Sequence, residues 1–300
     1  MDLQTLLNSK QAGELALFLS RLIPPSVGYR LARFVAARIA ANPETPIVQA
    51  IRENQWVVNR EALSPEQLDE VVVESLGYIT RAFFELFRYL DNPERLAELV
   101  VFDSPAQELI LRSAQSVQGV VACGLHMSNF DLVIRVAAHK GARILGLSLP
   151  EANEAIEWQH QLRRQIGVEI LPASISNMRQ LIRRLQAGEM VMTGIDHPRP
   201  GLNYHPLFFG RPAQLPTHHI VLAQKARVPI VLLTSVLEED GRYHVHTSDY
   251  IEMTVSGDHD LDMRQNTEKV MQAAEALISL APRQWTVFQP VWPGVSQEMP

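Results

Sequence analysis

Short apolar runs alternate with helical patterns beyond residue 118, and this alternation constrains the fold of the chain most. Runs of strand length occur at 119–125, 143–149, 168–171, 189–195 and 228–237. Helical patterns occur between and after them at 132–138, 154–166, 177–187 and 217–226. Because strands joined by helical crossovers run parallel, we expect an α/β fold with a largely parallel central sheet flanked by helices. A hairpin near 240–241, a strand at 243–253, a long helix at 261–280 and a last strand at 284–288 complete the prediction.

The first hundred residues predict a different organisation, an N-terminal helical segment. We therefore divide the chain into residues 1–100, which form helices that dock on a membrane and pack on the core, and residues 101–300, the α/β core. Pro24 and Pro25 separate two short helices, because proline is accepted at a helix start and disrupts an interior. Residues 45–100 continue as helices, with a capped start at 64–67.

Residues 15–43 contain four arginines and no acid among many apolar side chains. Leu31, Val35 and Ile39 share one helical face, and Arg30 and Arg33 lie on the other. Such a helix can lie in a membrane interface with its arginines near anionic head groups. It can equally pack on its own domain as an ordinary amphipathic helix.

Composition excludes several classes of protein. The net charge of −6 argues against general nucleic-acid binding. A single cysteine excludes an intrachain disulfide framework, and no secretory signal or membrane-spanning run is expected. Walker A, dinucleotide-binding and nucleophile-elbow motifs are absent from the sequence. We expect no metal site and no cofactor.

A histidine and an aspartate frame the segment His126-Met-Ser-Asn-Phe-Asp131, which follows the apolar run 119–125. A turn from strand to helix there can fold Asp131 back onto the imidazole of His126, which predicts a base with a carboxylate partner. The same spacing recurs at His244 and Asp249. That second pair lies within a strand pattern, where side chains five positions apart point to opposite faces.

A long loop rich in proline and glycine spans residues 196–211. Asp196 and His197 follow a strand, as His126 does, so both pairs converge at one edge of a parallel sheet. Arg199 and Arg211 add positive charge, and Phe208 and Phe209 are too apolar for a freely solvated loop. The loop is either functional, as loops of this length usually are, or a packed cover whose phenylalanines shield the sheet.

The ordered series of motifs resembles one family. The segment 126–131 resembles the His-x-Gly-Asn-Trp-Glu block of the lysophospholipid acyltransferase superfamily, in the branch of the lipid A lauroyl and myristoyl acyltransferases and the phosphatidylinositol mannoside acyltransferase. The resemblance continues over about residues 45–290. It includes Gln161-Leu-Arg-Arg164, Asp196-His-Pro-Arg-Pro-Gly201, Pro206-Leu-Phe-Phe-Gly-Arg-Pro-Ala213 and a closing Pro282-Arg-Gln-Trp285. Ser128 and Phe130 replace a glycine and a tryptophan, and the Arg-Arg pair usual after the closing motif is missing.

The resemblance implies an acyltransferase that moves a fatty acyl group from an acyl thioester, acyl-CoA or acyl carrier protein, to a hydroxyl of a lipid or glycolipid acceptor. His126 and Asp131 match the catalytic pair. The expected substrate-binding residues are Asn129, Arg163, Arg164, Asp196, Arg199, Phe208, Phe209 and Arg211. The implied location is peripheral, on the cytoplasmic face of the inner membrane. A noncatalytic lipid-binding protein with the same fold is the alternative, and a metal-dependent hydrolase is the third candidate.

Overall fold

The computed structural model describes residues 10–148 and 154–299, and its strands form a central sheet and a small hairpin. The strands are β1 (Val100–Phe102), β2 (Val120–Gly124), β3 (Leu145–Ser148), β4 (Glu169–Pro172), β5 (Met190–Gly194), β6 (Leu207–Phe208), β7 (Arg211–Pro212), β8 (Ile230–Leu237) and β9 (Tyr243–Thr247). Seven of them form one sheet in the order β1-β9-β8-β2-β5-β3-β4. All neighbouring pairs are parallel except β8 and β9. The predicted α/β fold with a largely parallel sheet is confirmed.

Helices cover both faces of the sheet and make up the N-terminal segment. They are α1 (Lys10–Leu22), α2 (Pro25–Ala40), α3 (Pro46–Val58), α4 (Pro65–Tyr89), α5 (Pro93–Leu99), α6 (Ser104–Gln115), α7 (Phe130–His139), α8 (Glu154–Arg164), α9 (Ile175–Gln186), α10 (His218–Ala226) and α11 (His259–Ile278). Prolines start α2 to α5 at their first positions, and Ser64 and Gln67 form the expected capping box of α4. No helix of the described ranges is long and apolar enough to cross a bilayer.

The sheet separates two apolar cores, because successive side chains along each strand point to opposite faces. In β2, Val121 and Cys123 belong to the core beneath α9, α10 and α11, whereas Val120 and Ala122 belong to the core shared with α6 and α7. Strand β2 is therefore apolar on both faces, as its unbroken apolar sequence predicts.

The buried carboxylate of Glu85 joins the N-terminal helices to the sheet. Tyr29 of α2 donates to Glu85 Oε1 at 2.9 Å, and Arg81 donates to the same oxygen at 2.9 Å. Tyr243 of β9 donates to the other carboxylate oxygen. The Glu85 side chain has no exposed surface, so these donors replace the water that a buried charge requires.

Two strand predictions were wrong in extent or kind. The strand expected at 243–253 ends at Thr247, and Ile251 contributes only a single bridge to Ile230. Residues 284–288 do not form a strand; a 3-10 turn at Pro282–Gln284 leads into an irregular segment. Its backbone groups bond to the turn after β2 and not to a neighbouring strand, as described below.

Candidate active site at the ends of strands β2 and β5

His126 and Asp196 meet because their strands are neighbours in the sheet. Strands β2 and β5 run parallel with Gly124 opposite Gly194, so the chain leaves both strands at the same edge. His126 Nδ1 lies 2.6 Å from Asp196 Oδ1, and the backbone N–H of His126 donates to Asp196 Oδ2 at 2.7 Å. The convergence expected from parallel strands is thus present, and it joins residues 70 positions apart.

Asp196, and not Asp131, is the partner of the His126 imidazole. The carboxylate of Asp131 accepts instead from Arg163 Nε at 2.6 Å. The expectation that Asp131 accepts from a ring nitrogen of His126 is corrected, because helix α7 begins at Phe130 and directs Asp131 towards α8. Asp131 remains close enough for its charge to raise the pKa of His126.

The pKa values of the pair move in opposite directions. Burial lowers the pKa of the His126 imidazole, but the charge and the hydrogen bond of Asp196 outweigh burial, so the net shift is upward. Burial raises the pKa of Asp196, but the bonds from His126 and Trp285 outweigh it, so that pKa is lowered. An ionised Asp196 requires the proton of a neutral His126 to sit on Nδ1. Nε2 then has a free lone pair, and the side chain is 28% exposed.

The turn between His126 and α7 is held by its own polar side chains. Ser128 adopts a left-handed conformation with φ of 51°, which suits the glycine found there in the family pattern. Its hydroxyl donates to Gln284 Oε1. The side chain of Asn129 accepts from the N–H of Leu132 and donates to the carbonyl of Ala82 at 3.0 Å. Asn129 is buried and caps the start of α7, and its contact with substrate stays a prediction.

The ring of His126 is fitted closely among its neighbours. The Phe130 ring meets it edge-on, with 4.9 Å between centroids, and the His197 ring lies 6.0 Å away. A Cβ atom added at Gly194 would lie 2.9 Å from His126 Cε1, so only glycine leaves the imidazole in this position. Burial and the positive charge of His126 lower the pKa of His197, which favours its neutral form.

Local sequence pattern predicts no functional role for the closing segment, residues 282–287, although this segment encloses the same turn. Trp285 Nε1 donates to Asp196 Oδ2 at 2.8 Å. Both the backbone N–H and the hydroxyl of Thr286 donate to the carbonyl of His126, at 2.8 and 2.9 Å. The only sequence signal was the resemblance of Pro282-Arg-Gln-Trp285 to a family motif, which carries no information about its contacts.

The loop 196–211 divides into a part near His126 and a part that packs elsewhere. Arg199 is half-buried near His197 and His218, since its charge lowers the pKa of both, and it forms no ion pair with any described residue. Arg211 binds Glu61 and Glu298 at 2.6 and 2.7 Å, so its guanidinium is already occupied.

Phe208 and Phe209 belong to the apolar core. Both are buried, and Phe208 stacks on Trp292 with 5.7 Å between ring centroids. Their contact with substrate stays a prediction. The alternative stated from the sequence, in which the phenylalanines cover the sheet, agrees with this packing.

An apolar cleft opens beside the Asp131–Arg163 ion pair. It is a shallow cleft between α4, α7 and α8, and its space of about 350 Å³ includes open solvent. Its lining consists of Phe83, Leu86, Phe87, Leu90, Leu162 and Ile166, with Asp131, Arg135, Gln159 and Arg163 as polar members. Arg164 points away from this pair, since it binds Glu157 at 2.6 Å among exposed side chains.

Helices α1 and α2 leave large apolar side chains exposed. In α2 the buried positions are Gly28, Ala32 and Ala36, and a Cβ at Gly28 would overlap the ring of Phe84. The inward face of α2 is therefore made of small residues. The apolar side chains that remain exposed on the two helices, the apolar surface hereafter, are Leu15, Phe18, Leu19, Leu22, Val27, Leu31, Phe34 and Val35.

Known proteins were compared with the chain. A family described as bacterial lipid A biosynthesis acyltransferase matches residues 9–293, which is nearly the whole sequence. No curated protein matches the chain. Within the described residues, no group of three or more histidine, cysteine, aspartate or glutamate side chains is arranged to hold a metal ion.

Proposed function

The chain belongs to the bacterial lipid A biosynthesis acyltransferase family, and from that membership we propose that it transfers a fatty acyl group from acyl-CoA or acyl carrier protein to a hydroxyl group of a lipid or glycolipid acceptor. The observation that carries the proposal is the contact of His126 Nδ1 with Asp196 Oδ1 at 2.6 Å, which leaves Nε2 free at a partly exposed position.

The proposed reaction uses His126 as a general base. Nε2 takes the proton of the acceptor hydroxyl while its oxygen attacks the thioester carbonyl, and Asp196 stabilises the imidazolium that forms. The C–S bond then breaks, and the departing thiolate takes the proton from Nε2. The first backbone N–H groups of a helix have no acceptor within it, so those at the start of α7 are the proposed donors to the carbonyl oxygen as its negative charge develops. The side chain of Asn129 is bonded to the N–H of Leu132 and the carbonyl of Ala82, so these backbone groups are the favoured donors.

The cleft beside Asp131 is the proposed site of the acyl chain. Its apolar lining suits a hydrocarbon, and it adjoins the motif helix that follows His126. Arg199, which forms no ion pair with a described residue, is the proposed partner for phosphate on the donor or the acceptor, since its guanidinium fork matches phosphate oxygens.

The activity test compares His126→Ala with His244→Ala. Acyl transfer from an acyl thioester to a lipid acceptor is expected to fall on the order of a hundredfold or more in His126→Ala, as for loss of a general base. His244 contacts Asp240 at the surface, so its variant retains activity. Equal activity in both variants contradicts the proposal. Loss of transfer with lipid binding retained separates the enzyme from a noncatalytic binding protein.

We further propose that the apolar surface of α1 and α2 docks on the cytoplasmic face of the inner membrane. Arg30 and Arg33 support this occupant because they are exposed on α2 and form no ion pair with a described residue. Apolar side chains flanked by free arginines suit an anionic lipid surface, where each arginine contributes about 1 kcal/mol.

Charge reversal on two different helices tests the docking. Arg30→Glu with Arg33→Glu is expected to weaken flotation with phosphatidylglycerol vesicles about tenfold or more. Arg179→Glu with Arg183→Glu is the matched control, because these arginines are exposed on α9 and the change in net charge is the same. Equal weakening by both pairs indicates a general charge effect and overturns the assigned surface.

A further inference from the structure

The closing segment runs antiparallel to the turn that carries His126. The N–H of Ser128 donates to the carbonyl of Gln284, and the N–H of Thr286 donates to the carbonyl of His126, both at 2.8 Å. Met127 and Trp285 form an antiparallel bridge between these bonds. These backbone contacts fix the position of Trp285 relative to the turn, and its indole N–H donates to Asp196.

The oxygens of Asp196 have separate tasks. Oδ2 accepts from the backbone N–H of His126 at 2.7 Å and from Trp285 Nε1 at 2.8 Å, whereas Oδ1 contacts His126 Nδ1. Asp196 is 1% exposed, so water cannot replace a lost donor. Two donors on Oδ2 prevent rotation of the carboxylate, and Oδ1 is thereby aimed at the imidazole.

We propose that Trp285 is a positioning residue, whose indole N–H fixes Asp196 so that Oδ1 orients and polarises His126 for proton transfer. This inference rests on the proposed function of His126 as a base, but the contact itself can be tested without acyl transfer. Trp285 acts through Asp196 and needs no contact with substrate.

The sign of the effect follows from the charges of the pair. With His126 protonated the pair is neutral, and with His126 neutral it carries one negative charge. A donor on Oδ2 stabilises the state with the larger negative charge more strongly. Removal of the Trp285 N–H therefore makes deprotonation of His126 harder and raises its pKa. Loss of the Asp196 charge itself has the opposite sign.

Other ionisable groups also face His126. They are Asp196 and His197 after β5, Asp131 in α7 and Arg163 in α8. The substitution of an uncharged indole alters none of these groups directly. A shift in titration that appears only when the N–H is removed therefore reports on the bond to Asp196.

Trp285→Phe and Trp292→Phe form a matched pair of variants. Both tryptophans are 2% exposed in the same core, and each donates one hydrogen bond, but Trp292 Nε1 donates to the carbonyl of Phe208 at 3.0 Å. The first readout is the titration of the His126 Cε1–H signal by NMR, assigned by its loss in His126→Ala. The second is the pH profile of kcat/KM.

Trp285→Phe is expected to move the His126 midpoint upward by roughly half a pH unit or more and to lower kcat about tenfold. Trp292→Phe is expected to titrate as the unaltered protein does. An unchanged midpoint in Trp285→Phe, with native circular dichroism, overturns the inference. If Trp285→Phe shifts the midpoint but the unaltered protein transfers no acyl group, the result contradicts the proposed function and still supports the positioning contact.

A replacement of Trp285 by 3-benzothienylalanine covers the case in which the phenylalanine variant does not fold. This amino acid keeps the bicyclic ring and has sulfur in place of the N–H group. The same upward shift supports the inference, and an unchanged midpoint overturns it.

Discussion

At the residue scale, the site is a pair assembled from two strands and not from one motif. His126 comes from the end of β2, and its carboxylate partner Asp196 comes from the end of β5. The acid within the motif, Asp131, forms an ion pair with Arg163 beside the apolar cleft. The two acids near His126 therefore have different tasks: one fixes the imidazole, and the other holds the helix that borders the cleft.

Asp196→Asn is expected to move the acidic limb of the kcat/KM profile to lower pH. The proposed base, His126, must be neutral, and the Asp196 charge holds the pKa of His126 above its ordinary value, so loss of that charge lowers this pKa. The rate at optimal pH falls on the order of 10⁴-fold, because an amide no longer fixes the Nδ1–H tautomer. Measurements of kcat/KM from pH 5 to 9 give both the midpoint of the acidic limb and the rate at optimal pH. An upward shift of the limb contradicts the assignment.

Gly194→Ala is expected to lower kcat about a hundredfold, as a displaced base does. Its Cβ would meet His126 Cε1 at 2.9 Å and push the imidazole away from its position. Gly124→Ala is the control, since Gly124 faces Gly194 across the strand pair and a Cβ there meets nothing within 4 Å. The idea fails if both variants have the same kcat.

At the element scale, helix α4 connects the N-terminal helices to the site. One side of it packs against the small residues of α2, and another side lines the apolar cleft through Phe83, Leu86, Phe87 and Leu90. Glu85 lies between these sides and bonds to both α2 and β9. The N-terminal helices are thus held to the α/β core by a buried polar network as well as by apolar packing.

Tyr29→Phe is expected to lower the free energy of unfolding by about 1 kcal/mol, because it removes a donor to the buried Glu85 carboxylate. Tyr78→Phe is the control: Tyr78 lies on α4, and its hydroxyl makes no hydrogen bond with a described residue. Urea denaturation of both variants gives the comparison. Equal stabilities for the two variants would show that the Glu85 network contributes nothing at α2.

Leu162→Phe is expected to shift acyl preference towards shorter chains, since Leu162 lines the cleft beside Asp131 that we propose for the acyl chain. Leu233→Phe is the matched control, because Leu233 is also half-buried but lines a second apolar cavity beneath α7. Competition between thioesters of different chain length measures the preference. A change caused by Leu233→Phe alone assigns the acyl chain to that second cavity instead.

At the scale of the whole molecule, residues in the central strands of the largely parallel sheet are shielded from solvent. Cys123 lies in β2, the fourth of seven strands, and has no exposed surface. Burial raises the pKa of its thiol, so it is neither accessible nor ionised in the folded protein. This placement argues against a covalent acyl-enzyme on the single cysteine.

Cys123 is therefore expected to report on global unfolding. In native buffer the thiol should not react with a disulfide reagent such as DTNB, and in guanidinium chloride its reactivity should rise together with loss of the circular dichroism signal. The measurement needs no second labelling control, because the chain has one cysteine. Rapid reaction in native buffer contradicts the placement of β2 in the centre of the sheet.

From the sequence alone one can predict the fold class, the order of most elements and the meeting of the segments after β2 and β5. These follow from local periodicity, and from the rule that parallel strands present their carboxyl ends at one edge. The helix starts at Pro25 and after Ser64 could also be predicted, since capping involves residues close in the chain. Fold, and the position of His126 at a strand end, were thus encoded in short stretches.

The three-dimensional packing was needed to find which acid pairs with His126, why Phe208 and Phe209 are buried, and what the closing segment contacts. The bonds concerned join residues 70, 89 and 160 positions apart. Local pattern assigned residues 284–288 to a strand, because a segment that pairs with a turn has the same alternation as one that pairs with a strand. Contacts over such separations depend on how whole elements pack, and no window of sequence contains that information.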